Sequence, residues 1–464
     1  MKNLFSNSAV AQVVCGFFLL AALASCATLP DVRYLGTSLA PKATPTVAGS
    51  QGILSDQKAG SILAKRLRGA RVDMQTLAGL EEAATGSPLI AGNKVTLLFD
   101  GPQTLNAMIA AIRTATDNIN LETYIFDQDE LGLRFADLLI ERQRAGVQVN
   151  IIYDSVGTLG TPAAFFERMR EAGIRLVEFN PVNPLKRFGR WRLNNRDHRK
   201  ILVVDGRIGF TGGINIAGDY SKSSLFRSSG KSGSASVGWR DTHIQVEGPA
   251  VAALQWLFLD TWARQRPDDR LERNYFPPLK PAGDKILRVL GSEPDGAPNI
   301  YKAYALAIQE AKKTIHITTP YFAPDQQIID ALTQAARRGV DVRIIFPSVS
   351  DSNLVLYAGQ SFYSELLDNG ISVYQLQIAV LHAKTAVIDG AWSTVGSANL
   401  DIRSFLHNTE VNVIVLGTDF GQAMENAFQE DLRDSHQVVR EEWEQRPVGE
   451  RLKEWAARRL AYWL

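Results

Sequence analysis

Cysteine is nearly absent: the 464 residues hold two, Cys15 and Cys26, both close to the N-terminus. The remainder of the chain therefore has no thiol for a disulfide framework or a thiolate metal site, and its stability must come from packing. No HxxxH pair occurs among the six histidines, which removes the usual helical spacing for zinc. An excess of one charge sign is also missing, because 50 Lys and Arg oppose 49 Asp and Glu for a formal net charge of +1. Composition thus advertises no broad affinity for a nucleic-acid backbone, and any anion recognition must be local. Apolar runs of membrane-spanning length are lacking too; the stretch from Ala9 to Ala24 is too short for a comfortable span. What is present is length and apolar content, 45% hydrophobic over 464 residues, enough for two domains.

The first residues, "MKNLFSNSAVAQVVCGFFLLAALASCATLP", place Lys2 ahead of that short apolar run and read as a secretory leader over 1–25. Its end, "LASC" at 23–26, resembles the lipobox of bacterial lipoproteins, which implies lipidation of Cys26. Ala27 at the following position, by the same resemblance, implies an outer-membrane anchor facing the periplasm. Residues 26–50, rich in Ala, Pro, Thr, Ser and Gly, read as a tether, and 51–92 as an N-terminal helical segment.

Beyond this the chain repeats itself. "LNAMIAAIRTATDNINLETYIF" (105–126) and "LRFADLLIERQRAGVQVNIIYDSVG" (133–157) each predict an amphipathic helix leading into a buried strand. "YALAIQEAKKTIHITTPYF" (304–322) and "IIDALTQAARRGVDVRIIFPSVS" (328–350) repeat that order, and Gly146 and Gly339 predict paired helix C-caps. The alternation implies an α/β fold with parallel strands under helices, in two tandem α/β/α halves over 93–265 and 286–440. The prolines and charges of 266–285 predict a linker, and 441–464 an amphipathic end.

One motif appears twice without a gap in spacing: His198, Lys200, Asp205, Gly212, Gly213, Asn215, then His382, Lys384, Asp389, Gly396, Ser397, Asn399. His and Lys two apart on a strand share a face, so an imidazole and an ammonium meet one phosphate. Asp205-Gly206 and Asp389-Gly390 predict hairpin turns that return a second strand toward the site. Asn215 and Asn399 follow small residues that permit close backbone approach, and supply amide donors. Of the other histidines, His316 and His436 read as structural, while His243 and His407 fall near enough to leave a supporting role open.

These paired HxKxxxxD motifs resemble the phospholipase D superfamily, and "DHRKILVVDGRIGFTGGINIAGDY" with "WRDTHIQVEGPAVAALQWLFLDTW" is similar to bacterial cardiolipin synthases and related transphosphatidylases. The resemblance spans roughly residues 93–440 and implies one pseudo-twofold site between halves with mixed sheets. It implies a phosphohistidine intermediate with His198 as nucleophile and His382 as general acid, and Lys200, Lys384, Asn215 and Asn399 as phosphate ligands. Asp241 in "GWRDTH" and Glu410 in "LHNTEV" look like carboxylates that orient the histidines. Asp205 and Asp389, with Gly213 and Ser397, are then structural members of the motif. No cofactor and no metal are expected, because Lys beside each His is a poor companion for a cation.

The expected substrates are membrane phospholipids, with cardiolipin synthesis from phosphatidylglycerol with phosphatidylglycerol or phosphatidylethanolamine as the leading reaction. Hydrolysis to phosphatidic acid and a nuclease-type phosphodiesterase are the alternatives; nucleic acid is disfavoured by the near-neutral charge. Both motifs in one chain imply a monomer, and an accessory protein is left open. Two segments suit a membrane surface. The loop 180–195 mixes Lys186, Arg187, Arg190 and Arg192 with Phe188 and Trp191. The segment 450–464 is amphipathic, with Leu452, Trp455, Leu460 and Trp463, and either lies in the interface or docks its apolar stripe on the protein. The Ser/Gly-rich stretch 221–238 reads as a surface loop beside the site.

Overall fold

The computed structural model describes residues 28–39, 44–70, 73–183, 192, 194–221, 238–269 and 273–462. Cys26, Lys186, Arg187, Phe188, Arg190, Trp191, Trp463 and most of the Ser/Gly-rich loop lie outside the described residues. An N-terminal unit, Met1–Asp31, has irregular backbone over its described residues 28–31; Val32–Leu464 is the second unit and carries everything below.

The first half runs β1 (Leu89–Leu98), α1 (Gly101–Thr114), β2 (Asn118–Thr123), α2 (Glu130–Arg144), β3 (Gln148–Asp154), α3 (Ala163–Glu171) and β4 (Arg175–Phe179). A hairpin, β5 (Ile201–Val204) and β6 (Ile208–Gly212), then β7 (His243–Glu247) and α4 (Val251–Gln265), complete it. The second half repeats the sequence of elements. It contains β8 (Lys285–Ser292), α5 (Asn299–Glu310), β9 (Thr314–Thr318), α6 (Gln326–Arg337), β10 (Asp341–Pro347), α7 (Asn353–Gln360) and β11 (Ser372–Leu376). The hairpin β12 (Thr385–Ile388) and β13 (Trp392–Gly396), then β14 (Asn408–Leu416), α8 (Thr418–Arg433) and α9 (Val448–Leu460), follow.

Local chemistry explains these boundaries. Asp100, Asp129 and Asp325 cap α1, α2 and α6 by accepting the backbone N–H groups of Gln103, Gly132 and Ile328. Gly146 and Gly339, at φ 93° and 88°, take the left-handed conformation just past α2 and α6 that other residues adopt at a cost. The Asp-Gly turns behave likewise, with Asp205 and Asp389 both at φ 52° and Gly206 and Gly390 also positive, the geometry of a tight hairpin.

Strand pairing makes one continuous mixed sheet whose order, β4-β3-β2-β5-β6-β7-β1-β8-β14-β13-β12-β9-β10-β11, reads alike outward from the β1/β8 seam. Between neighbours in this order, parallel pairing occurs only within β2-β3-β4 and β9-β10-β11, narrower than helix and strand alternation alone implies; the hairpins and β7 and β14 add antiparallel neighbours. Helices α1, α2 and α3 cover one face of the first half over a core including Ile112, Phe126, Phe135 and Met169. A separate cluster joins the halves, packing Val251 and Leu254 of α4 with Phe420 and Met424 of α8 over β5, β7 and β14. The preceding helix Met74–Thr85 is tied to β8 by a fully buried Arg288–Glu81 ion pair, and Glu81 also accepts from Trp392 Nε1 at 2.7 Å.

Among the described residues no helix is long and apolar enough to cross a membrane. Helix α9 turns buried Glu454 and Ala457 toward the protein and leaves Val448, Leu452 and Trp455 in solvent. Leu452, Trp455 and Leu460 of the apolar stripe are therefore not docked on the chain, which counts against docking, one of the two alternatives read from the sequence.

Candidate active site

The site is built where the halves exchange short strands. Arg196–Asp197, just before His198, pairs in parallel with Asn408–Thr409, just before Glu410. Trp239–Arg240, just before Asp241, pairs in parallel with Val380–Leu381, just before His382. The backbone continues each pairing: His198 N donates to Thr409 O at 2.9 Å, and His382 N to Arg240 O at 2.8 Å. Each histidine thereby meets the carboxylate of the opposite half. His198 Nδ1 lies 3.1 Å from both oxygens of Glu410, and His382 Nδ1 lies 2.7 Å from Asp241 Oδ2. The two lysines sit symmetrically, Lys200 Nζ donating to His198 O and Lys384 Nζ to His382 O, both at 2.6 Å.

Side-chain surroundings break the symmetry. Glu410 also accepts from Ser397 Oγ at 2.5 Å and from Asn408 Nδ2 at 3.1 Å. Asp241 receives Thr242 N at 2.7 Å. Gly213 stands where the second copy has Ser397, and a Cβ there falls 2.1 Å from Asp241 Oδ1, so only glycine fits against this carboxylate. His382 gains a further neighbour, Tyr220 Oη at 3.2 Å from Nδ1, and Tyr220 in turn accepts from Asn215 Nδ2 at 3.0 Å.

These differences set the charges. Burial alone raises the Glu410 carboxyl, but His198, Lys200 and the Ser397 hydroxyl together carry it down to about 2. Burial dominates at Asp241 and lifts it to about 6 despite Lys384. Burial also lowers His198 to about 4, and burial with both lysines drives His382 well below the ordinary imidazole value. Lys200 and Lys384 are brought down by burial to about 7 and about 8. The resting site near neutrality thus has neutral imidazoles, and of the two histidines and their carboxylates Asp241, behind His382, takes up a proton before His198 does.

A cavity of about 200 Å³ opens onto His198, His382, Asn215 and Asn399 together. Asn215 Oδ1 accepts from Ile125 N at 3.2 Å, whereas the buried amide oxygen of Asn399 has no hydrogen-bond partner among the described residues. Asp205 and Asp389 stand apart at the hairpin turns. Asp205 accepts from Thr116, Asp117 and Asn118 N–H groups at 2.8 to 3.2 Å, and Asp389 from Lys312, Lys313 and Thr314 at 2.7 to 2.9 Å. His243 is buried behind the site, receives Ile214 N at 3.4 Å and is lowered by burial to about 3, so it stays neutral. His407 meets Tyr462 edge-on, and His316 stacks on Phe428 and bonds Glu425.

The cavity also holds residues that the motifs do not name: Tyr124, Tyr220, Trp239, Tyr321, Asp351, Arg196 and Arg403. Tyr124 packs edge-on to His198 at 5.3 Å, Trp239 lies 5.0 Å from His382, and Tyr321 Oη bonds Asp351 at 2.7 Å. "TYIF" at 123–126 and "TPYF" at 319–322 carried a signal for two of them, since both sit at the ends of matched strands.

The description of one family model, cardiolipin synthase, PLD-like domain, matches residues 108–224 and 304–432, one segment in each half. Cardiolipin synthase of Geobacillus kaustophilus (strain HTA426) is 35% identical over 378 residues, 81% of this chain and 73% of that protein. Cardiolipin synthase of Listeria monocytogenes serotype 4a (strain HCC23) is 37% identical over 380 residues, 81% of this chain and 76% of that protein. The crystal structure of phosphatidylserine synthase from Haemophilus influenzae Rd KW20 superposes with a TM-score of 0.62 at 14% identity, over 80% of this chain and 95% of the other, a likeness of fold.

Proposed function

The chain belongs to the cardiolipin synthase family with phospholipase D-like domains, and on that premise we propose that it is a phosphatidyltransferase making cardiolipin from membrane phospholipids. In this reading the phosphatidyl donor is phosphatidylglycerol or phosphatidylethanolamine, which releases glycerol or ethanolamine, and the acceptor hydroxyl belongs to a second phosphatidylglycerol; the steps are written for the phosphatidylglycerol donor. The observation that carries the assignment of roles is the inequality of the two carboxylates: Glu410 accepts from Ser397 and Asn408, which with His198 and Lys200 hold it ionised, whereas Asp241 has Gly213 in the place of that serine and is raised by burial.

Glu410 stays ionised and accepts a hydrogen bond from the Nδ1–H of His198, which fixes the tautomer whose Nε2 lone pair is free to attack phosphorus. The N–P bond forms as the P–O bond to the leaving glycerol breaks. The glycerol oxygen takes its proton from Nε2 of His382, the imidazole backed by the carboxylate of higher proton affinity. An anionic phosphodiester between Lys200 and Lys384 raises both imidazoles, so binding itself favours loading that proton. In the second step the acceptor hydroxyl returns a proton to His382 and attacks phosphorus, the N–P bond breaks, and both histidines are restored. Lys200, Lys384, Asn215 and Asn399 meet the equatorial oxygens, where charge is held throughout.

The finer placement follows the sequence: an acyl anchor on Cys26, an outer-membrane location facing the periplasm and a monomeric state. Cys26→Ser is expected to abolish acyl labelling, the measurement that checks the anchor.

The function is tested by mass spectrometry of lipids after incubation with mixed phosphatidylglycerol and phosphatidylethanolamine vesicles. Cardiolipin with released glycerol or ethanolamine is the expected product. Phosphatidic acid alone means that water is the acceptor, and unchanged lipid overturns the reading.

A further inference from the structure

We propose that helix α9 and the exposed start of α7 form a docking face for an anionic phospholipid membrane at the mouth of the catalytic cavity. The proposal rests on the reading above and supplies the surface on which a membrane lipid reaches the site.

The orientation of α9 carries it. Val448, Leu452 and Trp455, spaced along one helical face, are 80%, 63% and 58% exposed. A surface helix ordinarily docks its apolar stripe on the core. This one docks its charges instead. Buried Glu454 pairs with Arg446 at 2.7 Å, and the Arg446 guanidinium lies 4.3 Å over Trp443. Arg458 bonds Glu365 Oε2 at 2.9 Å and lies 4.2 Å over Phe362. These contacts fix the rotation of the helix, so the outward apolar stripe is built in.

Charge identifies the occupant. Helix α9 carries Arg451, Lys453, Arg458 and Arg459 against Glu450 and the buried Glu454. The Arg459 guanidinium lies 5.0 Å over Trp455, a cation beside an aromatic on the apolar face. Apolar anchors flanked by cations match the boundary between anionic headgroups and acyl chains.

Position links the face to the chemistry. Helix α9 packs on α7, where Lys453 Nζ reaches Tyr357 Oη at 3.4 Å and Arg458 donates to Ser361 O at 3.2 Å. Val349 and Leu354, 48% and 41% exposed, flank Asp351, which lines the cavity with His198 and His382.

The test floats the full chain carrying Cys26→Ser, which removes the acyl anchor, with vesicles of phosphatidylglycerol and phosphatidylethanolamine or of phosphatidylcholine alone. The parent is expected to float with the anionic vesicles, and Leu452→Glu/Trp455→Glu to lose about tenfold or more of that partitioning. Turnover of short-chain phosphatidylglycerol below its micelle concentration should be unchanged in the same variant. A second variant, Arg451→Glu/Arg459→Glu, should lose the preference for anionic vesicles. Parent-like flotation of the Leu452/Trp455 variant overturns the proposal. So does a parent dimer that this variant dissociates without loss of flotation, because the face then belongs to a second copy. A parent that floats but leaves the short-chain lipid intact counts against the catalytic reading alone, and the docking face stands.

Discussion

Glu410, carried by the second half, holds the Nδ1 of His198, carried by the first, at 3.1 Å, and Asp241 holds His382 reciprocally at 2.7 Å. Neither half pairs its own motif histidine with a carboxylate of its own.

Replacing either histidine removes one half of a two-step transfer. His198→Ala and His382→Ala should each lower turnover by about 10³-fold or more, with unchanged circular dichroism. His382→Asn should accumulate a phosphatidyl adduct on His198, visible by intact-protein mass. An adduct on residue 382 in the reciprocal His198→Asn variant, and none on His198, reverses the assigned roles.

Alkaline pH should separate activity from stability. Lys200 at about 7 and Lys384 at about 8 lose their charge as pH rises, so kcat/KM should fall above pH 7 to 8. Lys200→Arg keeps a permanent charge and should move that limb upward, at a lower plateau. For stability the sign is opposite. Between about 7 and the ordinary 10.5 the unfolded chain holds a Lys200 proton that the native state lacks, so the penalty for burying this cation fades as pH rises. Urea titrations of parent and Lys200→Met across this window isolate the slope; a Lys200 contribution that falls with pH refutes it.

The single difference between the motif copies beside the carboxylates is also testable. Ser397→Ala removes a hydroxyl donor from Glu410, lets that carboxyl rise, and should cost roughly tenfold to a hundredfold in kcat/KM at acidic pH. Gly213→Ala drives a methyl against Asp241 and should cost more, with a lowered melting temperature. Parent-like kinetics for Gly213→Ala would show that Asp241 need not sit where it does.

Asp205→Ala and Asp389→Ala should behave as stability variants. Each deletes a carboxylate that gathers three consecutive backbone N–H groups while itself adopting a left-handed φ of 52°. A loss of about 1–3 kcal/mol in urea unfolding, with kcat within about threefold of the parent, is expected. A large kcat defect in a stably folded Asp205 variant would place that carboxylate in the reaction.

Much of this site was legible because the motif is written twice. Exact spacing placed His198, Lys200 and Asn215 beside their counterparts, and Asp-Gly announced both hairpins. The exchange of carboxylates was not legible, since it depends on parallel pairing of residues 196–197 with 408–409, a contact without local sequence signature. Tyr220 and Trp239 escaped for the same reason: an aromatic side chain near a motif looks like core until the fold turns it toward an imidazole. Helix α9 was legible as amphipathic, but which face it buries is decided by Arg446 and Glu454, eight residues apart across a bend.

The sheet that reads alike from its central seam has a further consequence. Two identical subunits meeting at such a seam would be obliged to place the same residue at positions 213 and 397, and so the same setting behind both imidazoles. Covalent tandem linkage lifts that obligation. One copy keeps glycine and the other acquires a serine hydroxyl, so duplication with divergence, rather than symmetry, is what allows the two histidines a division of labour.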